Sequence, residues 1–313
     1  MINKESIIFL TDTIGEIYSI EKLNEGFQNT IYKIESWKWT YCLRISKRNT
    51  KKHVQYEIDI LQCLKDLPVI KLQSIDGKYI FSVKGKVAIL YSFIDGIIRE
   101  NNTPEELNTV GKFLAKFHNQ CKNIKYSGVR SELYSLPDRA IKEHQLYIHK
   151  MNISYTELLP GIISELRKNI LSDLHPSGPI HVDFGPKNTL WKNGELAAVL
   201  DFDNAYKGPY ILDIWKSIMF FASYEWGFEI WKAKAFFDGY ISKRPLNDRE
   251  KGEIYKAIKY AFLSHIFVDY YMYAKKVTSE KYFEYIIKDL LISYNSFIAK
   301  LDSNPDFLYN KNP

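Results

Sequence analysis

Cysteine is scarce in this 313-residue chain: Cys42, Cys63 and Cys121 are the full complement, and no two form a C-x-x-C pair. That scarcity argues against a disulfide framework and against a zinc site, and it favours a reducing, cytoplasmic setting. Long apolar runs are absent too. No segment approaches the roughly 18–20 apolar residues that a membrane helix needs, and the opening MINKESIIFLTDTIGE is too short in its apolar part to read as a signal peptide. The expectation is a soluble, cytoplasmic protein with no membrane partner. There is no internal repeat and no low-complexity linker. Charge of one sign is not in large excess either: 43 Lys and Arg against 37 Asp and Glu leave a net +6. This balance admits an anionic ligand such as a nucleotide, while the lack of a basic tail or Arg-rich helix argues against a nucleic-acid partner. The densest basic run, SKRNTKKH (46–53), reads as a solvated loop. Oligomeric state is left open.

What is present is an ordinary globular composition, 46% hydrophobic and 26% charged, long enough for one large domain or two smaller ones. The 23 Tyr, 18 Phe and 6 Trp are read mainly as packing. From Glu16 to Phe93 short strand patterns follow one another: EIYSIEKL, TIYKIES, TYCLRIS, KYIFSV and KVAILYSF. One helical pattern interrupts them, KHVQYEIDILQCLKDL, with Val54, Ile58, Leu61 and Leu64 at helical spacing. Beyond Gly96 helices dominate. The first of them is announced by Thr103 as cap, Pro104 in the first turn and Glu106 completing a capping box. The fold class expected is α+β, a small antiparallel β lobe with one helix joined to a larger, mostly helical lobe.

Two segments carry concentrated polar chemistry. PIHVDFGPKNTLW (179–191) holds His181, Asp183 and Asn188 in the spacing H-x-D-x-x-x-x-N, and AVLDFDNA (198–205) holds Asp201 and Asp203 directly after apolar residues. Between them, Asn193-Gly194 is a strong tight-hairpin signal. Counting back from that turn pairs Lys192 with Glu195 and Asn188 with Val199, so Asp201 projects from the same face as Asn188. Two neighbouring oxygen ligands suit a hard cation such as Mg²⁺, with water and phosphate completing its shell. Asp183, in the loop before the first strand, is then near enough to act as a base. Other readings are weaker. The D-x-D resembles the nucleophile motif of haloacid-dehalogenase-type phosphatases, but that motif usually lies near an N-terminus and continues to Thr or Val, where this chain has Ala205. A calcium loop starting at Asp201 fails at its sixth position, Tyr206, and its twelfth, Leu212. The plainest alternative is that His181 and Asp183 hydrogen-bond a buried turn.

The β-rich part offers matching pieces for a nucleotide. NEGFQNT (24–30) joins two strand patterns. Gly26, Asn29 and Thr30 there suit either a phosphate-binding turn or a plain hairpin. Glu57 falls on the apolar stripe of its helix, and Arg44 is equally misplaced in an apolar strand. Each resolves the other's burial cost as an ion pair, purely structural or reaching on to phosphate.

In this order the pieces resemble a kinase fold: phosphate loop, basic residue on the third strand, helix Glu, connector, H-x-D-x-x-x-x-N, then D-F-x. The closest resemblance is to the aminoglycoside phosphotransferase-like small-molecule kinases, which include choline kinase-like and type II homoserine kinase-like enzymes. It covers roughly residues 16–240 and is strongest over HVDFGPKNTLWKNGELAAVLDFDNAYKGPYILDI. It implies a protein-kinase-like two-lobe fold, with a nucleotide-binding lobe at 1–94 and a catalytic and substrate-binding lobe at 95–313. It also implies Asp183 as catalytic base, Asn188 and Asp201 as Mg²⁺ ligands, His181 as a brace, and Asp213 as the support of the catalytic loop. The hinge would be LYSFIDG (90–96), with backbone groups near Ser92 and Ile94 meeting the adenine of ATP or GTP. The chain departs from the family at Val182, where Gly is usual, at Arg44, where many relatives have Lys, and at Asp203, which is a metal or substrate ligand or a loop hydrogen-bonder.

The activity implied is γ-phosphate transfer to a hydroxyl of an aminoglycoside-like, amino-alcohol or homoserine-like acceptor. Candidate acceptor residues, besides Asp203, are Tyr224, Glu225, Asp238, Asp269 and Tyr270. Acidic groups suit an amine, aromatics suit a cationic headgroup, and for most of the aromatics core packing is the simpler role. A scaffold with little catalysis, of the kind seen in related spore-coat proteins, is the alternative class. Retained Asp183, Asn188, Asp201, Arg44 and Glu57 count against it.

Overall fold

Strand alternation in the first third of the chain builds one antiparallel sheet. Its strands are β1 (Ile17–Glu25), β2 (Asn29–Ser36), β3 (Thr40–Ser46), β4 (Leu72–Gln73), β5 (Phe81–Val83) and β6 (Lys86–Ser92). Their order is β1-β2-β3-β6-β4, with β5 also paired to β6. Tyr41, Leu43 and Ile45 point to one face, where they meet Tyr32, Ile34 and Leu90 and the N-terminal Ile7 and Leu10. Burying each such aliphatic side chain contributes roughly 1.5–3 kcal/mol. By the two-residue period of a strand, Arg44 is on the other face. Helix α1 (Lys51–Cys63) begins at Thr50, whose side chain accepts from the backbone N–H of His53, and buries Val54, Glu57, Ile58 and Leu61.

The structure, a computed structural model, describes residues 2–25, 29–128, 134–173, 175–224, 227–304 and 308. The chain divides into two compact units. The first is Met1–Ile97 with Asn123–Arg130 and Thr189–Asp203, and the second is Ile98–Lys122, Ser131–Asn188 and Asn204–Pro313.

Strands β8 (Thr189–Lys192) and β9 (Glu195–Val199) form a hairpin that belongs to the first unit. Its turn residues Asn193 and Gly194 have φ of 52° and 83°, the left-handed pair a two-residue hairpin turn requires. Lys192 faces Glu195 as predicted, but the partner of Val199 is Thr189, not Asn188. The ladder shifts by one residue between Leu190 and Trp191, a β-bulge that strand counting cannot foresee. Asn188 lies outside the ladder, in a 3₁₀ turn over Pro186–Asn188. Strand parity therefore does not fix which way it faces.

The second unit is helical around a short ladder of β7 (Ser177–Ile180) and β10 (Tyr206–Pro209), in which Ile180 pairs with Tyr206. Helix α2 (Pro104–Cys121) carries the complete Thr103–Glu106 capping box. It packs on α3 (Ile230–Ile241) through two glycines. A Cβ on Gly111 would sit 2.1 Å from the Phe236 carbonyl oxygen, and one on Gly239 would sit 2.2 Å from that of Asn108. Only glycine permits so close an approach, and the approach carries the end of α2 to the neighbourhood of Tyr240. Helices α4 (Tyr210–Ala222) and α5 (Ile254–Ala274) are buried on nearly every side. No described helix is long and apolar enough to cross a membrane. Gly26 and Glu225, both singled out from the sequence, lie outside the described residues.

Candidate active site

In the second unit the H-x-D loop leaves β7 and is held from below by Asp213, at the start of α4. Asp213 is fully buried. Its Oδ2 accepts from the backbone N–H of His181 at 2.8 Å, and its Oδ1 accepts from that of Val182 at 2.7 Å. Hydrogen bonds to an ionised acceptor are about twice as strong as neutral ones. These two hold the loop in a conformation it would otherwise avoid. Val182 has φ of 65°, the left-handed region that glycine enters freely and a β-branched residue enters at a cost of roughly 1–2 kcal/mol. Val182 thus adopts glycine-like backbone geometry with its side chain buried.

A residue the sequence reading missed completes the support. His118, near the end of α2, sits 2.9 Å through Nε2 from Asp213 Oδ2 and 2.7 Å through Nδ1 from the Tyr240 hydroxyl. Burial lowers the affinity of this ring for a second proton, against the pull of Asp213. The neutral tautomer then donates from Nε2 to the carboxylate and accepts from Tyr240. Arg244 donates to the Tyr240 oxygen at 3.1 Å and pairs with Glu250 at 2.9 Å. The only signal for His118 was a histidine on an apolar helical stripe, and such a residue is usually plain core.

Asp183 itself is half-buried. Its backbone carbonyl accepts from Asn188 Nδ2 at 2.7 Å, and the Asn188 N–H donates to the Gly185 carbonyl at 3.0 Å. With its amide nitrogen so engaged, Asn188 keeps its carbonyl oxygen as the side-chain atom for a ligand, the donor type a hard cation takes. His181 is fully buried, its ring 5.6 Å from that of Phe184.

In the first unit Arg44 and Glu57 form the ion pair that their misplaced charges predict. Nη1 donates to Oε1 at 2.9 Å and Nη2 to Oε2, a two-pronged contact, and the Tyr91 hydroxyl reaches Oε1 at 3.3 Å. Both side chains are almost wholly buried. Burial pushes the Glu57 carboxyl up and Arg44 opposes it, with Asp203 and Asp201 adding to the upward push. Asp201 follows β9 with φ of 57°, in the left-handed region like Val182.

Asp203 is a hydrogen-bond acceptor for its own unit. Oδ2 accepts from Asn29 Nδ2 at 2.8 Å and Oδ1 accepts from Asn49 Nδ2, while Ser46 Oγ donates to Asn29 Oδ1 at 2.9 Å. Of the roles expected for Asp203, the loop hydrogen-bonder is the one this geometry supports. Asn29 likewise spends its side chain on this network. Asn49 was missed because it lies in a run read only as a solvated loop. Thr30 pairs with Ile45 within the sheet. In the hinge segment the Ser92 N–H donates to Lys71 and the Phe93 N–H to Thr40, Ser92 Oγ accepts from Gln73, and Ile94 is half-buried.

The acceptor candidates of the second unit divide. Tyr270 is buried, with its hydroxyl donated to the Tyr155 carbonyl at 2.8 Å. Asp238 pairs with Lys234 one turn away on its own helix. Tyr224 is exposed, in a two-residue strand. Asp269 alone of these is both buried and within the electrostatic reach of Asp183.

Known structures share this architecture. Spectinomycin phosphotransferase APH(9)-Ia, solved with ADP and spectinomycin, superposes with a TM-score of 0.69 at 16% identity over 95% of this chain and 99% of that one. Choline kinase from Cryptosporidium parvum Iowa II gives 0.66 at 15% identity over 98% and 100%. The fold is that of the kinase-like phosphotransferases, α+β in two parts. By sequence, the phosphotransferase enzyme family (APH) matches residues 19–253. Homoserine kinase of Caulobacter vibrioides (strain NA1000 / CB15N) is 26% identical over 251 residues, 76% of this chain and 77% of its own. That of Caulobacter sp. (strain K31) is 27% identical over 264 residues, 80% of each. The chain belongs to the phosphotransferase enzyme family, as a kinase of small molecules.

Proposed function

We propose that this kinase transfers the γ-phosphoryl group of ATP or GTP, bound with Mg²⁺, to the hydroxyl of a small amine-bearing acceptor. The observation that carries the reading is the doubly hydrogen-bonded support of the H-x-D loop by Asp213, which fixes the backbone on either side of the peptide leading to Asp183. A buried carboxylate bracing a strained loop is an expensive arrangement, and strain of this kind clusters at functional sites.

In the reaction the acceptor oxygen bonds to the γ-phosphorus, the bond to the β,γ-bridging oxygen breaks, and the nucleoside diphosphate leaves. Asp183 orients the acceptor hydroxyl and takes its proton late. Such transfers depend on positioning and on neutralising charge. Arg44, aligned by Glu57, neutralises phosphate charge, and the Ile94 N–H is the hinge donor to the base, since those of Ser92 and Phe93 are engaged. Asn188 and Asp201 are the proposed metal ligands, Asn188 through the carbonyl oxygen that its bond to Asp183 leaves available. Bound there, Mg²⁺ would supply further neutralisation of the phosphate charge. Homoserine kinases at 26–27% identity support, of the acceptors considered, a homoserine-like one that carries both an amine and a hydroxyl.

The test is a phosphorylation screen over hydroxyl-bearing metabolites and antibiotics with Asp183→Asn as control. The variant is expected to lose roughly 10²–10⁴ in kcat, while Mg²⁺-nucleotide still raises its melting temperature. Turnover near wild type would remove Asp183 from the base role.

A further inference from the structure

Helix α4 buries a lysine in a sequence, YILDIWKSIMFFA, that is otherwise almost wholly apolar. Lys216 is fully buried, its Nζ 3.5 Å from the centroid of the Tyr134 ring and 3.3 Å from Nδ1 of His265. One turn along α5 from His265, Asp269 Oδ2 lies 3.3 Å from the other ring nitrogen, Nε2. That contact lacks hydrogen-bond alignment, and both atoms are left without a hydrogen-bond partner. His265 and Asp269 are only 4% and 5% exposed. The result is a row of amine, imidazole and carboxyl group in which Lys216 and Asp269 meet through the ring.

Such a row is incomplete by its own chemistry. An amine and a carboxyl group offer several donors and acceptors, and among the described residues Asp269 Oδ2 and His265 Nε2 have no hydrogen-bond partner. Half-satisfied buried polar groups cost stability, and apolar replacements of equal volume usually do no worse. Burial lowers Lys216 to about 7, against the pull of Asp269, Asp183 and Asp213, and raises Asp269 to about 8, against Lys216. Near neutral pH, then, an arriving charged group decides how each is protonated. Asp183 acts on both groups, and Tyr282, partly exposed, is pushed up by burial and by Asp269 and Asp183 together. The row therefore lies near the proposed base and has a solvent-facing neighbour.

We propose that Lys216, His265 and Asp269 recognise the phosphate acceptor, and that the acceptor is a dipolar hydroxy-amino acid. Its carboxylate goes to Lys216 and its ammonium to Asp269, with His265 setting the distance between them. A polycation meets a like charge at Lys216, and a quaternary ammonium alcohol has nothing to offer it. This assignment rests on the kinase reading above and gives it a substrate class.

The test uses L-serine, L-threonine and L-homoserine as probes. Two stripped analogues accompany them, 3-amino-1-propanol without the carboxylate and 4-hydroxybutyrate without the ammonium. Choline and spectinomycin serve as competing classes. Wild type, Lys216→Met and Asp269→Asn are each assayed for nucleoside diphosphate release, for calorimetric binding of the probes without nucleotide, and for the melting shift with Mg²⁺-ATP. A hydroxy-amino acid should be preferred over either stripped analogue by roughly 100-fold or more, because a site built for a polar group rejects the ligand that lacks it. Lys216→Met should raise the KM of that acceptor by a similar factor and leave 3-amino-1-propanol unchanged. Asp269→Asn should do the same for the acceptor while sparing 4-hydroxybutyrate. Both variants should keep the nucleotide shift. If Lys216→Met does not fold, the isosteric Asp269→Asn carries the test. Preference for choline or spectinomycin, or variants with unchanged acceptor KM, overturns the assignment and leaves the kinase reading standing. No nucleotide shift and no turnover with any probe overturns the kinase reading, and Lys216-dependent binding of a hydroxy-amino acid then decides the recognition row alone.

Discussion

Two buried ionic groups, one in each unit, are built differently. Arg44 and Glu57 meet through two parallel hydrogen bonds with Tyr91 as a third partner, so their charges are matched in place. Lys216, His265 and Asp269 are as deeply buried but touch only end to end, with Oδ2 of Asp269 and Nε2 of His265 unbonded. In the first arrangement the two charges are matched within the fold, and in the second they are not. Asp213, with two backbone N–H groups and His118 as partners, belongs with the first kind. Burial of charge alone therefore does not tell an aligned pair from an open row, whereas unfilled hydrogen-bond capacity does.

The contrast can be broken by removing one partner at a time. Glu57→Ala leaves the Arg44 guanidinium buried and unmatched, and should cost about 3–5 kcal/mol in denaturant or thermal melts. A loss under about 1 kcal/mol would place the pair among weak surface bridges instead. Asp213→Asn turns an NH₂ toward one of the loop N–H groups and should cost roughly 1.5–3 kcal/mol, the worth of a charged hydrogen bond. It should also lower kcat more than it changes the KM for nucleotide. Equal kcat in the variant would mean that the loop keeps its form without the carboxylate.

A smaller effect reads the incomplete row through pH. Asp269 holds its proton up to about 8 in the fold, against 3.8 as its ordinary value. The folded chain thus carries the extra proton between those values, and stability falls as pH rises through that window. Lys216, lowered to about 7, is protonated in both states below that point and adds nothing there. From about pH 5 to about pH 7 wild type should lose on the order of 1–3 kcal/mol relative to Asp269→Asn. Parallel melting curves across that range would remove the linkage.

Much of this was legible in the sequence because misfits are visible locally. Arg44 and Glu57 were misplaced charges on apolar patterns, Asn193-Gly194 announced its turn, and Thr103 with Glu106 announced a helix start. Long-range partners were not legible. His118 looks like core until Asp213 and Tyr240 are brought to it, and Asn49 looks like a solvated loop until Asp203 accepts from it. The bulge between Leu190 and Trp191 left no mark, since ELAAV alternates too weakly to reveal an extra residue. Lys216 was the missed local signal, a single cation in an otherwise largely apolar helix.

The most direct measurement is a side-by-side melt of Lys216→Met and Glu57→Ala. Lys216→Met should melt at or above wild type at neutral pH: Asp269 holds its proton up to about 8 even against Lys216, so loss of the amine leaves no uncompensated buried charge and puts a side chain that packs in its place. Glu57→Ala should melt lower by roughly 6–15 °C, at about 2–3 °C per kcal/mol for a chain of this size. Equal losses in the two variants would contradict the distinction between a completed pair and an open recognition row.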